Sequence, residues 1–298
     1  MESKIYPVEH SYFEIKRLIS TLIARYPFVN LPHIGRSAAG RDIPALTIGS
    51  GTEYTAFVSG DDPLCRITTL ILLRFVEELC DNILNGNEMC GLNIRKAMFG
   101  RGVIVVPQLN PDGAEIALRG EMGCGYMAGK ISRLCGGDFS VWRANLRGVE
   151  IARNLPFAFE ARKAEEREAK ISGPKPYGFS GYRPESEPET LALTELCRTR
   201  GIRQMISLSA FGQTVSYSGA DTVPDRSVKM AEVMAAVSSF AVQPPIAKGS
   251  VELNDWFAYE FSRPGLCLRV GTDSVPTASE LVFWYKRVRE ALTLAALF

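Results

Sequence analysis

The stretch Phe57–Leu79, FVSGDDPLCRITTLILLRFVEEL, contains the end of an apolar run, a short polar turn, and then apolar residues at helical spacing. A buried strand that passes through a Gly-Asp-Asp-Pro turn into an amphipathic helix is the repeating unit of an α/β fold. Asp62 followed by Pro63 reads as an acidic N-cap with proline at the first helical position, and Asp61 and Asp62 both suit the positive helix end. Two acids and a thiol, Cys65, are also residue types of a metal or reactive site. The fold and the function therefore meet in one turn.

Outward from that turn the pattern repeats. Ile15, Leu18, Ile19, Leu22 and Ile23 fall at helical spacing. RDIPALTIG and EYTAFVSG read as two strands joined by a glycine-containing turn, and GVIVVPQLN, IRQMISLSA and GLCLRVG as buried strands. SEPETLALTELCRTRG reads as a helix with a capping box between Ser186 and Glu189, and RSVKMAEVMAAVSSF and SELVFWYKRVREALTLAALF as two further helices. The charged stretch EARKAEEREAK reads as a solvated helix leading into a surface loop. Strands that alternate with helices predict an α/β sandwich on a mainly parallel sheet, with residues 1–298 as one domain.

Bulk properties narrow the function. The 298 residues are 46% apolar, and 34 basic residues nearly balance 33 acidic ones, for a net charge of +1. That balance gives no basis for a nucleic-acid partner. No apolar run approaches the ~18 residues of a membrane span, and the first twenty residues lack a secretory apolar core. Seven scattered cysteines without a C-x-x-C pair suit a reduced, cytoplasmic protein. There are only two histidines, His10 and His33, both near the start. Hydrolytic zinc sites and Ser or Cys nucleophiles usually need at least one, so these two limit any such proposal.

Several stretches, taken in order, resemble the zinc carboxypeptidase family, and most of all its bacterial branch of γ-D-glutamyl-diaminopimelate peptidases. HIGRSAAGRDIPALTIG is similar to the family's entry segment, and QLNPDG to its Asn-Pro-Asp-Gly turn at Asn110–Gly113. WRANLRGVEIARNLP resembles the segment of substrate-binding arginines, and NDWFAYEFSRPGLCLRVG the final segment that carries the catalytic glutamate. The resemblance implies a mixed eight-stranded sheet between two helix layers. It also implies, for active relatives, zinc held by a His-x-x-Glu pair and a distant His, which polarises the scissile carbonyl and activates water.

At the positions equivalent to those ligands this chain has Asp62, Cys65 and Ser209, and at the general base it has Arg269. The expectation is therefore no catalytic residue and no zinc cofactor, with Arg269 near the old metal position and paired with Asp62 or Asp61. Without a histidine nearby by alignment, Cys65 and Ser209 are expected as a buried thiol and hydroxyl rather than nucleophiles. Arg143 matches the oxyanion arginine, while Arg153 and Asn154 match the Arg-Asn part of an Asn-Arg-Asn clamp whose first residue is Ala152 here. The clamp tyrosine is absent from PPIAKGSVELNDW. The resemblance thus implies an inactive homologue that binds a peptide or cell-wall fragment through its carboxylate at Arg143, Arg153 and Asn154. A protein partner is the other ligand open to such a homologue, and two alternatives stand beside it: a working peptidase with an unusual metal site, and a structural or assembly subunit whose cleft is filled.

Overall fold

A computed structural model of the chain describes residues 3–218, 225–245, 252–272 and 274–298. Its centre is a seven-stranded sheet. In chain order the strands are β1 (Leu46–Gly49), β2 (Tyr54–Val58), β3 (Gly102–Val106), β4 (Ile202–Ala210), β5 (Thr214–Tyr217), β6 (Ala241–Gln243) and β7 (Gly265–Val270). Across the sheet they lie in the order β6-β5-β7-β4-β2-β3-β1. Four neighbouring pairs are parallel, and β1/β3 and β5/β7 are antiparallel. The sheet is thus mixed and mainly parallel as expected, with seven strands among the described residues instead of eight. The two N-terminal strand segments do not pair with each other, because β3 lies between β1 and β2. β5 and β6, which close one edge, are short and have no strong apolar alternation, so the sequence pattern does not announce them.

One face of the sheet is covered by helices α1 (Tyr12–Arg25), α2 (Arg66–Asn85), α5 (Asp225–Ser238) and α7 (Leu281–Leu297). Their apolar stripes bury Ile15, Ile19, Leu72, Phe75, Met234 and Val288 against Phe57, Ile206, Leu208, Leu266, Leu268 and Val270. The opposite face carries α4 (Pro188–Thr199) and α6 (Leu253–Phe261), whose Leu193, Leu196, Trp256 and Phe257 pack on Ala56, Val58, Ile104 and Met205. α3 (Phe159–Glu168) is tied through Arg162 to the carbonyls of Arg153 and Leu155. All seven cysteines are unpaired and six are buried. No helix among the described residues is long and apolar enough to cross a membrane.

Three local expectations are corrected. α2 begins at Arg66 and not after Asp62, and Cys65 precedes it without a side-chain cap. Asp62 instead uses Oδ1 to accept from Leu64 N at 3.0 Å, an Asx turn ahead of the helix. The Ser186–Glu189 capping box does not form: Glu187 is the N-cap of α4, and Ser186 donates to its carboxylate. Glu189 reaches out of the helix, accepting from Ala38 N at 3.0 Å and from Asn145 Nδ2 at 3.0 Å. The charged α3 is not wholly solvated, since Arg162 and Glu166 are buried at 1% and 3% exposure.

Glu189 is fully buried, and burial pushes its carboxyl up to about 7. A carboxyl whose folded pKa lies above its unfolded value stabilises the fold below the ordinary carboxylate range, and that contribution is lost as pH rises through about 7. Glu189→Gln has no such titration. The stability cost of this substitution, measured by urea unfolding, is therefore expected to be smaller at pH 8.5 than at pH 5.5. A cost that grows between these two pH values contradicts the assignment.

Candidate functional site

The candidate site lies where β2 and β4 run side by side and the chain leaves them in opposite directions across the sheet. In α/β sheets, the crevice beyond the carboxyl ends of strands at such a switch point is the usual place for ligands. The turn after β2 supplies Asp61 and Asp62. β4 supplies Ser207 and Ser209, and β7 is in register with it, placing Cys267 beside Ser207 and Arg269 beside Ser209. Strand alternation explains the sharing of a face: Leu208, Leu268 and Val270 enter the core on the other side.

The Asn-Pro-Asp-Gly turn holds this corner together. Asn110 caps the following helix (Pro111–Arg119) by accepting from Gly113 N at 2.9 Å, and its amide donates to Asp61 O at 3.1 Å. Asp112 accepts from Ser37 Oγ, Ala39 N and Arg41 Nη1 at 2.6–2.7 Å. A Cβ at Gly113 would fall 2.4 Å from both Pro63 Cγ and Ala144 O. Only glycine lets the Asp62 turn and the Arg143 segment close over the same spot.

Arg143 then meets Asp62, with Nη2 at 2.6 Å and Nε at 2.9 Å from the same Oδ2. Burial works against the Arg143 charge, but the Asp62 carboxylate outweighs it and lifts the guanidinium pKa above its ordinary value. Arg269 makes a different pair. It donates to Glu252 and Ser216, at 2.5 and 2.9 Å, and to Gln243 at 3.2 Å. The expected Arg269 pairing with Asp62 or Asp61 is corrected accordingly. Glu252, at the N-cap of α6, and the polar side chains of β5 and β6 draw Arg269 toward the sheet edge, and Arg143 reaches Asp62 first. Glu252 is not legible from spacing, because a partner at a helix start leaves no periodic signal.

A cavity of about 210 Å³ opens here, so the cleft is not filled by side chains. Its wall includes Asp61, Asp62, Glu150, Glu252, Arg143, Arg153, Ser207, Ser209 and Cys267. Ala152 also lines it, at the position where the clamp's first asparagine was expected. Arg153 is ion-paired with Glu165 at 2.8 Å. Asn154 stands behind the wall, fully buried: its amide donates to Ser180 O, Arg183 O and Ser186 Oγ, and its Oδ1 accepts from Glu187 N. It braces the 3₁₀ turn (Ile151–Asn154) that presents Arg153. Asp61 and Glu150 form no ion pair among the described residues, and burial, followed by the Asp62 charge, pushes the Asp61 carboxyl up to about 7. His10 and His33 do not line the cavity. Part of the tyrosine-free stretch, residues 246–251, lies outside the described residues.

The class defined so far is an α/β/α sandwich with an open crevice at the carboxyl ends of its central strands. The family comparison agrees: the model for zinc carboxypeptidases matches residues 15–254, and the chain belongs to that family. It is 26% identical over 271 residues to gamma-D-glutamyl-L-diamino acid endopeptidase 1 of Lysinibacillus sphaericus, a match that covers 90% of this chain and 67% of that protein. Thrombin activatable fibrinolysis inhibitor superposes with a TM-score of 0.77 at 17% identity, over 99% of this chain and 75% of that one. A metallo-carboxypeptidase from Burkholderia cenocepacia gives 0.61 at 14% identity, over 98% and 70%.

Membership corrects the expectation of a chain without a cofactor, because zinc is the ion that the family carries. The residues at the three ligand positions fit that ion poorly. Both Asp62 oxygens already accept hydrogen bonds, from Arg143 and Leu64. Burial, then the Asp62 and Asp61 charges, hold the Cys65 thiol well above its ordinary pKa, and the thiolate is the form that binds metal. Ser209 offers a neutral hydroxyl, 3.4 Å from Ala210 O. Among the described residues no three His, Cys, Asp or Glu side chains gather as a metal-holding group.

The two ion pairs make separate predictions. Combining Arg269→Leu with Glu252→Gln is expected to show a coupling of about 1 kcal/mol, a value held down because Glu252 is 32% exposed. Arg269→Leu with Asp62→Asn is expected to show less. Urea unfolding of the singles and doubles checks both, and a larger coupling to Asp62 than to Glu252 contradicts the arrangement.

Proposed function

We propose that this protein is a peptide-binding member of the zinc carboxypeptidase family that recognises its ligand without hydrolysing it. The observation that carries the reading is the mixed charge of the cavity wall. Arg153 stands on the same wall as Asp61 and Glu150, two carboxylates with no ion pair among the described residues. A peptide end that bears both a carboxylate and an ammonium complements that wall: the carboxylate meets Arg153, braced by Asn154, and the ammonium meets Asp61 and Glu150. The relative from Lysinibacillus sphaericus is named for a diamino-acid substrate, and a γ-D-glutamyl-diamino acid fragment of the cell wall has both groups.

The loss of hydrolysis rests on Arg269. It holds the position that the family resemblance gives to the general base, and a guanidinium cannot accept a proton near neutral pH. Its side chain is also engaged by Glu252, Ser216 and Gln243.

Calorimetry with a γ-D-glutamyl-diamino acid dipeptide, its C-terminally amidated form and its N-acetylated form tests the binding. Each modification, and Arg153→Ala, is expected to weaken binding at least ~tenfold, the equivalent of about 1.4 kcal/mol. Equal binding of the free and amidated forms contradicts the reading. So does turnover of the dipeptide above a buffer control with zinc supplied.

A further inference from the structure

The arginines of this protein fall into two groups. In the cleft, Arg143, Arg153 and Arg269 each have a carboxylate partner. At the other end of the same sheet, where β2, β3 and β4 begin, Arg101, Arg203 and Arg226 form no ion pair among the described residues and are held by backbone and hydroxyl oxygens. Arg101 Nη1 donates to Ala97 O at 2.8 Å, and Arg226 Nη2 donates to Phe298 O. Arg203 Nε and Nη2 donate to Thr55 Oγ1 at 3.3 and 3.2 Å, and Nη2 also donates to Ala296 O at 3.1 Å.

Sheet register brings these residues together. Tyr54 lies opposite Gly102 on β3 and opposite Ile202 on β4, so Arg101 and Arg203 flank the start of β2, two strand spacings or ~10 Å apart. The register then shifts: Thr55 faces Gln204, which leaves Arg203 as the extra residue of a bulge, a feature that re-aims a side chain. Arg203 and Arg226 grip the same end of α7, at Ala296 and Phe298. The like charges act on one another. Burial, then Arg226 and Arg101, lower the Arg203 pKa, and the exposed Glu53 opposes them. The carboxyl end of α7 offsets part of the positive charge. The remainder is open to solvent: Arg203 Nη1 and Arg101 Nε and Nη2 have no hydrogen-bond partner among the described residues and are not buried, and Arg226 is exposed.

We propose that Arg101, Arg203 and Arg226 form a site for a compact, multiply charged phosphate anion at the end of the sheet away from the cleft. Guanidinium N–H groups match phosphate oxygens, and three of them suit an anion with more than one charge. Their anchoring fixes each side chain without consuming its charge, so little ordering is left for the ligand to impose. A long polyanion needs a broad positive field, which a net charge of +1 does not supply. The shared chemistry is a diphosphate, either free or carried by a nucleotide. None of the three arginines lines the cavity, so the site stands apart from the peptide-binding reading.

The test uses the intact protein and inorganic pyrophosphate as probe, with calorimetry at constant ionic strength. Arg101→Gln combined with Arg226→Gln is expected to weaken binding at least ~tenfold, the equivalent of about 1.4 kcal/mol. Arg153→Ala is expected to leave it unchanged, which separates this site from the cleft. Adenosine diphosphate makes the second arm: tighter binding than pyrophosphate assigns a nucleotide, and equal or weaker binding assigns the free diphosphate. Crystals soaked in pyrophosphate are expected to show its oxygens within ~3.2 Å of Arg203 Nη1. The proposal is overturned if pyrophosphate gives no more heat than chloride at equal ionic strength, if the double variant binds as well as the unsubstituted protein, or if Arg153→Ala abolishes the binding instead. Vesicles of anionic phospholipid that bind where pyrophosphate does not also overturn it. Because the soak uses the unsubstituted protein, the test holds even if a variant fails to fold.

Discussion

The contact between Arg143 and Asp62 organises this site. It ties the turn leaving β2, at the centre of the sheet, to a segment more than eighty residues away, with the nearest nitrogen 2.6 Å from Oδ2. Gly113 makes room for that closure, and Asn110 fixes the backbone of the turn from below. Once Asp62 is committed to Arg143 and Leu64, the helix that follows cannot use it as a cap and starts at Arg66. The half-exposed arginine is screened by solvent, so the pair adds specificity of closure more than bulk stability.

The same commitment shapes the chemistry of the cleft. Arg143 satisfies Asp62, and Glu252 satisfies Arg269, so those four groups offer little net charge to a ligand. What remains for recognition is the wall of Asp61, Glu150 and Arg153. The family's scaffold is retained, with its carboxyl-end crevice, while the groups facing the crevice now interact with one another. Recognition therefore rests on these three side chains, of which Asp61 and Glu150 form no ion pair among the described residues.

Much of the fold was legible because apolar runs of the right length leave few options. The strands holding Val105, Ile206 and Leu268 and the helices holding Leu72, Leu193 and Val288 follow from burial alone. The edge strands β5 and β6 were not legible, since four and three residues with mixed polarity are compatible with a loop. α6 was also hidden, its Trp256 and Phe257 sitting among motif residues that drew the reading elsewhere. The ordered motifs located Asp62, Cys65, Ser209, Arg143, Arg153 and Arg269 on one side of the sheet. They did not determine which acid pairs with which arginine, because that depends on side-chain reach. Arg162 was missed because a charged helical stretch reads as solvated unless its packing is known.

The most direct test is an independent crystal structure of the protein at a resolution that orients the Arg143 guanidinium. The expected arrangement has Nε and Nη2 within ~3.2 Å of one Asp62 oxygen, with the other oxygen on Leu64 N. It is contradicted if Arg143 swings out of the cleft and Asp62 stands more than ~6 Å from any arginine, beyond the range of a strong charge effect.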